Sequence, residues 1–204
     1  GGVGQFGQVG GDSEETQETL WNYFGVDVTP SLANFDAKVK KDTRSAFRDV
    51  YQYAADRINQ ELGDASPEQE ASIIDGIARG ITHFATLGDP KVELVDFSSG
   101  GFKILRFSNL VKKLSSVDLE ASYIDSKTWP EVVIHEKGNP KNRLLTVRMK
   151  IEKMPTKKNP DAIYTRNYIE KGPLLEKLTE YRKASWDDAK AVQSLDRVTQ
   201  IGRA

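Results

Sequence analysis

The stretch "LLTVRMKIEK", Leu144–Lys153, separates apolar from polar side chains at alternate positions. Apolar and polar residues alternate along it, and the two sets are Leu145, Val147, Met149 and Ile151 against Thr146, Arg148, Lys150 and Glu152. Successive side chains of a strand point to opposite faces, so a period of two predicts a half-buried β-strand. One face belongs to a hydrophobic core, and the other presents polar groups outward.

Further strand patterns surround this stretch. "PEVVIHE" precedes it across the turn-forming segment "KGNPKN", and "AIYTRNYIE" follows it after the basic loop "MPTKKNPD". Earlier in the chain, "VELVDF" and "FKILRF" are separated by "SSGG" and predict a hairpin. These segments together predict a mainly antiparallel sheet of about five strands.

The N-terminal half carries helical patterns instead. Apolar residues recur at spacings of mostly three and four from Leu32 to Leu62, with a break predicted near residues 42–44, and again from Ile73 to Phe84. Ser66 is the predicted N-cap of the later helix. Shorter helices are predicted over residues 13–24, 108–124, 173–183 and 185–198. The predicted fold class is therefore α+β, a helical N-terminal half followed by the sheet with flanking helices.

Composition predicts three regions along the chain. Residues 1–12 are a flexible glycine-rich arm, 13–88 an acidic helical region and 89–204 a basic α/β sheet region that forms one continuous domain with 13–88. Residues 1–88 hold seven Lys/Arg against fourteen Asp/Glu, and residues 137–183 hold thirteen against five. Three roles are consistent with an acidic and a basic half on one chain. The two halves dock on each other, the basic half faces a polyanion, or the charges only keep the protein soluble. The first residue is Gly1 and not Met, and three explanations are weighed equally: a tag remnant, a processed terminus and the edge of a fragment.

Several classes of function lack their sequence signals. The chain has no cysteine, which excludes disulfides, thiolate metal sites and a cysteine nucleophile, and is typical of a reducing compartment such as the cytoplasm. It has no apolar run of about 18 residues, so we expect a soluble protein without a membrane span. His83 and His135 lie far apart without metal-ligand spacing, and no serine stands at a glycine-flanked turn. We expect no resident metal or cofactor.

The polar faces of the C-terminal strands favour one ligand class. Arg148 and Lys150 lie on one strand, and Tyr164, Arg166 and Tyr168 lie at alternate positions of the next. If these sets share a face, cations meet phosphate oxygens and flat rings meet bases, which is how some sheets bind single-stranded nucleic acid. The first hypothesis is therefore nucleic-acid binding by these five residues. Cross-strand ion pairs on a plain solvated surface are the alternative.

A nuclease is the second hypothesis, and it leaves open whether the chain is an enzyme. Pro130–Glu131 followed by Lys150 resembles, in outline, the proline-acid and acid-x-lysine pattern of restriction-endonuclease-like nucleases. That resemblance implies Glu131 as a ligand of Mg²⁺ and Lys150 as the catalytic lysine. The pattern departs at Arg148, which stands two residues before Lys150 where the family has an acid.

A structural role in a larger particle is the third hypothesis. An acidic half and a basic half on one chain could dock between neighbouring copies, as a homo-oligomer or with an assembly partner. Trp21, Tyr23 and Phe24 would then be contact anchors, since aromatic residues are enriched at protein interfaces. The alternative for these three rings is packing against the chain's own helices.

Overall fold

The structure is a computed structural model and describes residues 5–11, 13–63, 66–85, 101–104, 107–125, 129–153, 156–159, 163–178 and 180–183. The helices in these ranges are α1 (Glu14–Tyr23), α2 (Phe35–Lys41), α3 (Thr43–Leu62), α4 (Pro67–Ala85), α5 (Phe107–Ser115) and α6 (Pro173–Leu178). The strands are β1 (Gln5–Gly10), β2 (Gly101–Ile104), β3 (Leu119–Asp125), β4 (Pro130–Glu136), β5 (Asn139–Lys153), β6 (Tyr164–Lys171) and β7 (Glu180–Lys183). The predicted α+β class is confirmed.

Local sequence explains where the first helices begin and end. The Thr16 backbone N–H donates to Ser13 Oγ, and the Ser13 N–H donates to Thr16 Oγ1, both at 3.2 Å, which is the reciprocal pair of a capping box. Asp42 follows α2 and caps α3, because its carboxylate accepts a 3.1 Å hydrogen bond from the Ser45 N–H. The predicted break near residues 42–44 is confirmed.

The predicted sheet of about five strands is also confirmed. Among the described strands, five form one antiparallel sheet in the order β1-β6-β5-β4-β3, and β2 and β7 form a separate two-stranded pair. The turn between β4 and β5 contains Gly138 with φ +77°, a left-handed conformation that glycine adopts without strain. The C-terminal strands predicted from "PEVVIHE", "LLTVRMKIEK" and "AIYTRNYIE" are neighbours in the sheet.

Part of the arm predicted over residues 1–12 is ordered as a strand. β1 pairs with β6 along an edge of the sheet, with Val9 opposite Asn167. A Cβ atom at Gly7 would lie 2.5 Å from the ring of Phe84, so the backbone approaches α4 as closely as only glycine permits. Glycine at position 7 therefore serves close packing, which the composition of the arm does not distinguish from flexibility.

The single helix predicted over residues 108–124 is wrong in its second half, where β3 begins at Leu119. The Asn59 side chain donates to the Ala121 carbonyl and accepts from the Ala121 N–H, each at 2.7 Å. Asn59 lies on α3, so a helix distant in sequence supplies both edge hydrogen bonds of Ala121. Such a tertiary contact overrides local propensity.

β2 overlaps the strand predicted from "FKILRF", and the hairpin predicted with 92–97 stays a prediction. Among the described strands, β2 pairs with β7, with Gly101 opposite Lys183. β7 lies inside the helix predicted over 173–183, so that prediction is wrong in its last part, whereas Pro173–Leu178 is helical. The segment 92–97 and the helix predicted over 185–198 lie outside the described residues.

The hydrophobic core lies between the helices and one face of the five-stranded sheet. α3 packs on β3 and β4, and its Phe47 and Tyr51 are fully buried. Tyr51 donates through its hydroxyl to Asn167 on β6, and Gln17 on α1 donates to the Gly11 carbonyl at 3.1 Å. Because these buried hydrogen bonds hold α1 and α3 on the inner face, the outer face of β5 and β6 points away from them.

Two of the three rings predicted as assembly contacts are part of this core. Trp21 and Phe24 are 1% exposed, and Trp21 packs edge-on against Tyr51 with ring centroids 5.3 Å apart. Tyr23 is half-buried and stacks on His83 at 3.7 Å. The packing of Trp21 and Phe24 inside the chain removes them as contact anchors for a neighbouring copy.

Candidate nucleic-acid interface

The structure brings the five predicted binding residues together on the outer face of the sheet. Alternation along β5 places Arg148 and Lys150 there, and alternation along β6 does the same for Tyr164, Arg166 and Tyr168. In the register of the two strands, Lys150 lies opposite Arg166 and Arg148 lies opposite Tyr168. Cations and rings predicted from two separate stretches are therefore direct neighbours.

These side chains differ in how far they reach solvent. Lys150 and Tyr164 are exposed, whereas Arg148, Arg166 and Tyr168 are half-buried. Tyr164, 38% exposed, is the exposed large hydrophobic side chain among the residues that the structure describes. The fold thus leaves part of this ring in solvent beside Lys150 and Arg166.

Arg166 is held by neutral partners. Its guanidinium lies 5.3 Å from the centre of the Tyr164 ring, and its Nε donates to the Tyr164 hydroxyl at 2.9 Å. Its Nη1 donates to Gln8 Oε1 on β1 at 3.2 Å. The hydrogen bond to Tyr164 is also the largest cause that raises the pKa of Arg166. Arg166 is thus oriented by neutral hydrogen-bond partners, and the Glu152 carboxylate acts on it through space.

Arg148 is partnered differently. It forms an ion pair with Glu170 across β5 and β6, and its guanidinium lies 5.0 Å from the centre of the Tyr168 ring. Tyr168 donates to Glu152 Oε1 at 2.6 Å, which lowers the pKa of Glu152 and raises the pKa of Tyr168. The charge of Arg148 is therefore largely compensated within the sheet, unlike that of Arg166.

Positive charge gathers toward the end of the sheet where β5 leads into β6. Glu131, Glu152 and Glu170 share the outer face with the three cations, so the face as a whole is close to neutral. The segment 150–166, however, holds five Lys/Arg against two Asp/Glu. Lys157 and Lys158 in its loop are exposed. The end of the sheet around Lys150 and Arg166 is thus the basic region of this face.

The residues of the nuclease hypothesis also lie together. Glu131, Lys150 and Arg148 line a surface pocket of about 360 Å³ with Trp129 and Met149. Among the described residues, no three His, Asp or Glu side chains are grouped so that they could hold a metal ion. The nuclease stays a prediction. Magnesium-dependent cleavage of an oligonucleotide that disappears in Glu131→Ala would support it.

The two histidines have unrelated environments. His83 stacks on Tyr23 within the helical region, and burial lowers its pKa, as expected for a packing residue. His135 is fully buried on the outer face of β4, and its Nε2 lies 2.7 Å from Ser122 Oγ. The sequence alone does not indicate this Ser–His pair, because its members lie on different strands and neither stands in a catalytic motif.

Among the described helices, none has both the length and the apolar character needed to cross a bilayer. Comparison of the chain with models of known protein families, with curated proteins and with solved structures finds no match.

Proposed function

We propose that this protein binds single-stranded nucleic acid on the outer face of β5 and β6. The observation that carries the proposal is the exposed Tyr164 ring beside Lys150 and Arg166. Stacking of a base on an aromatic ring contributes about 1–3 kcal/mol, and lysine and arginine neutralise the phosphates between bases. Rings and cations on one sheet face supply both contributions.

The distance between Tyr164 and Tyr168 is long enough for the two rings to stack on two different nucleotides of one strand. Tyr164 and Tyr168 are four residues apart on β6, which corresponds to about 13 Å along a strand. Aromatic side chains on known RNA-binding sheets stack two or three bases in this manner. Arg166 lies between the tyrosines on the same face, where it would contact the phosphate that links two stacked bases.

The first prediction concerns salt-dependent binding. The double variant Lys150→Ala/Arg166→Ala is expected to bind a labelled single-stranded oligonucleotide more weakly than the unmodified chain. The logarithm of the binding constant falls linearly with the logarithm of the salt concentration. Each lost phosphate contact makes this slope less steep by about 0.7, so two lost contacts make it less steep by about 1.4. Fluorescence anisotropy over a series of salt concentrations measures both quantities. Arg148→Ala is expected to have a smaller effect, because Glu170 already compensates Arg148.

The matched control is Lys137→Ala/Lys141→Ala. Both lysines are exposed at the other end of the β4–β5 hairpin, so the control removes the same charge from a different place. Binding that is unchanged in Lys150→Ala/Arg166→Ala contradicts the proposal. Equal weakening in both double variants also contradicts it, because a general charge effect would then replace a site.

The second prediction concerns Glu152, a carboxylate on the outer face of β5. Glu152 is exposed next to Lys150, and its lowered pKa keeps it ionised at neutral pH, where it repels phosphate. Glu152→Gln is therefore expected to tighten oligonucleotide binding several-fold at low salt and to leave binding at high salt nearly unchanged. Glu15→Gln on α1, an exposed site in the acidic half, is the control. Tightening of the same size in Glu15→Gln would show that only the net charge matters.

A further inference from the structure

Ser122 and His135 form a hydrogen-bonded pair outside the proposed nucleic-acid interface. They lie on the neighbouring strands β3 and β4, and Ser122 Oγ is 2.7 Å from His135 Nε2. His135 Nδ1 is 2.7 Å from the backbone carbonyl oxygen of Glu136. A carbonyl oxygen only accepts hydrogen bonds, so Nδ1 carries the ring proton and Nε2 of the neutral ring is an acceptor. The Ser122 hydroxyl therefore donates to Nε2.

This arrangement matches what a serine nucleophile needs. The base is held in one tautomer by the Glu136 carbonyl, and it already accepts the hydrogen bond from the hydroxyl that it would deprotonate. His135 is fully buried, which fixes its ring, whereas Ser122 is only half-buried. Glu120 Oε1 lies 3.8 Å from Nε2, where a carboxylate stabilises the imidazolium formed by proton transfer.

We infer that Ser122 is a nucleophile activated by His135 and that the pair hydrolyses carboxylic esters. Ser122 Oγ forms a bond to the ester carbonyl carbon while its proton passes to Nε2. The bond from this carbon to the alcohol oxygen then breaks, and Nε2 returns the proton to the departing alcohol. Water next attacks the acyl-serine and gives a proton to Nε2, and this proton returns to Oγ as the carboxylic acid leaves. Ester and water are consumed, and acid and alcohol are formed.

The strand edge offers a donor for the negative charge of the tetrahedral intermediate. The Ala121 N–H and carbonyl point away from β4, since both bind Asn59. Backbone groups of an antiparallel strand alternate in direction, so the Tyr123 N–H also points away from β4. It belongs to the residue that follows Ser122, and it can donate to the oxyanion.

The chemistry favours esters over amides. The group on Nδ1 is an uncharged carbonyl in place of the carboxylate found in a Ser-His-Asp triad, so the imidazolium is stabilised less. A weaker base suffices when the leaving group is an alcohol, which departs more readily than an amine. Ile124, two residues from Ser122 on the same strand face, offers an apolar contact for a short acyl group.

A fluorophosphonate probe with a fluorescent tag tests the inference on the full chain. In that reaction a P–O bond forms to Ser122, the P–F bond breaks with loss of fluoride, and the serine proton leaves through His135. One label per chain is expected, located at Ser122 by peptide mass spectrometry. The labelling rate is expected to fall at least about 100-fold in Ser122→Ala and in His135→Gln. Hydrolysis of p-nitrophenyl acetate by the unlabelled chain is expected to fall in parallel.

Ser116→Ala is the matched control, because Ser116 is an exposed serine that donates to the Lys113 carbonyl at 2.7 Å. Labelling that persists in Ser122→Ala, or that is absent from the unmodified chain, overturns the inference. Ser122→Ala decides the matter if His135→Gln fails to fold. Its thermal unfolding is expected at a somewhat lower temperature, because the buried His135 Nε2 loses its hydrogen-bond donor, and its oligonucleotide binding is expected to match that of the unmodified chain. The result therefore does not depend on the proposed nucleic-acid binding.

Discussion

Phe47→Ala is expected to lower the free energy of unfolding by about 3–5 kcal/mol, the cost of removing a fully buried phenylalanine and leaving a cavity. Phe47 is 0% exposed and lies at the centre of an aromatic cluster. Its ring packs against Phe35 at 5.4 Å and against Tyr51 at 6.1 Å, both at steep angles that suit aromatic quadrupoles. Urea denaturation followed by far-ultraviolet circular dichroism measures the loss.

Gln52→Ala on the same helix is the control for this variant. Gln52 is exposed, so its replacement is expected to change the free energy of unfolding by less than about 0.5 kcal/mol. A loss below about 1 kcal/mol in Phe47→Ala would mean that the surrounding rings collapse into the space. That outcome would contradict the close packing between α2 and α3.

Gly76→Val is the second variant for which we expect a large loss, about 1–3 kcal/mol from overpacking. A Cβ at position 76 would lie 2.6 Å from the Phe24 carbonyl oxygen and 3.0 Å from Gly25 Cα. Both neighbours are backbone atoms, and Gly25 has φ +72°, so the turn after α1 has little freedom to move. Thermal unfolding of purified variants measures the difference.

Valine has a higher intrinsic helix propensity than glycine, so propensity by itself slightly favours Gly76→Val and the expected loss comes from overpacking. The control Ala71→Val introduces valine on the same helix at an exposed position, where it lowers helix propensity without overpacking. Gly76→Val is expected to be clearly less stable than Ala71→Val. Equal stability of the two variants would show that α4 does not approach the turn at Gly25 as closely as the structure indicates.

The positions of small residues illustrate how far sequence reasoning reaches. Gly76 and Gly80, four residues apart, predict that another helix approaches α4 closely. What approaches is the end of α1, since a Cβ at Gly80 would lie 2.1 Å from the Phe24 ring. Spacing along one helix is a local property, so it correctly marks the side that is contacted. Which segment makes the contact depends on how the chain folds back.

The candidate site shows the same division. Alternation along β5 and β6 puts Lys150 and Arg166 each on a defined side of its strand, but the register between strands decides whether they meet. The ion partner of Arg148 is likewise a matter of register, because Glu152 and Glu170 are both available on the outer face. Gln8 contacts Arg166 across a separation of 158 residues in sequence, and no local pattern indicates that contact.

The amino-acid sequence by itself determined the features that depend on near neighbours. These are the period-two faces of the C-terminal strands, the helix starts at Ser13 and Ser66, the break at Asp42 and the separation of acidic and basic halves. Each arises from residues two to four positions apart or from composition, where side-chain direction and capping act locally.

Only the tertiary structure decided which strands pair and which polar groups meet. It paired β1 with β6 and β2 with β7, turned part of a predicted helix into β3, and brought Ser122 to His135. These outcomes depend on burying one face of the sheet beneath α3 and on satisfying backbone groups such as those of Ala121. Burial and hydrogen bonding between distant segments are properties of the whole folded chain, so a local pattern does not contain them.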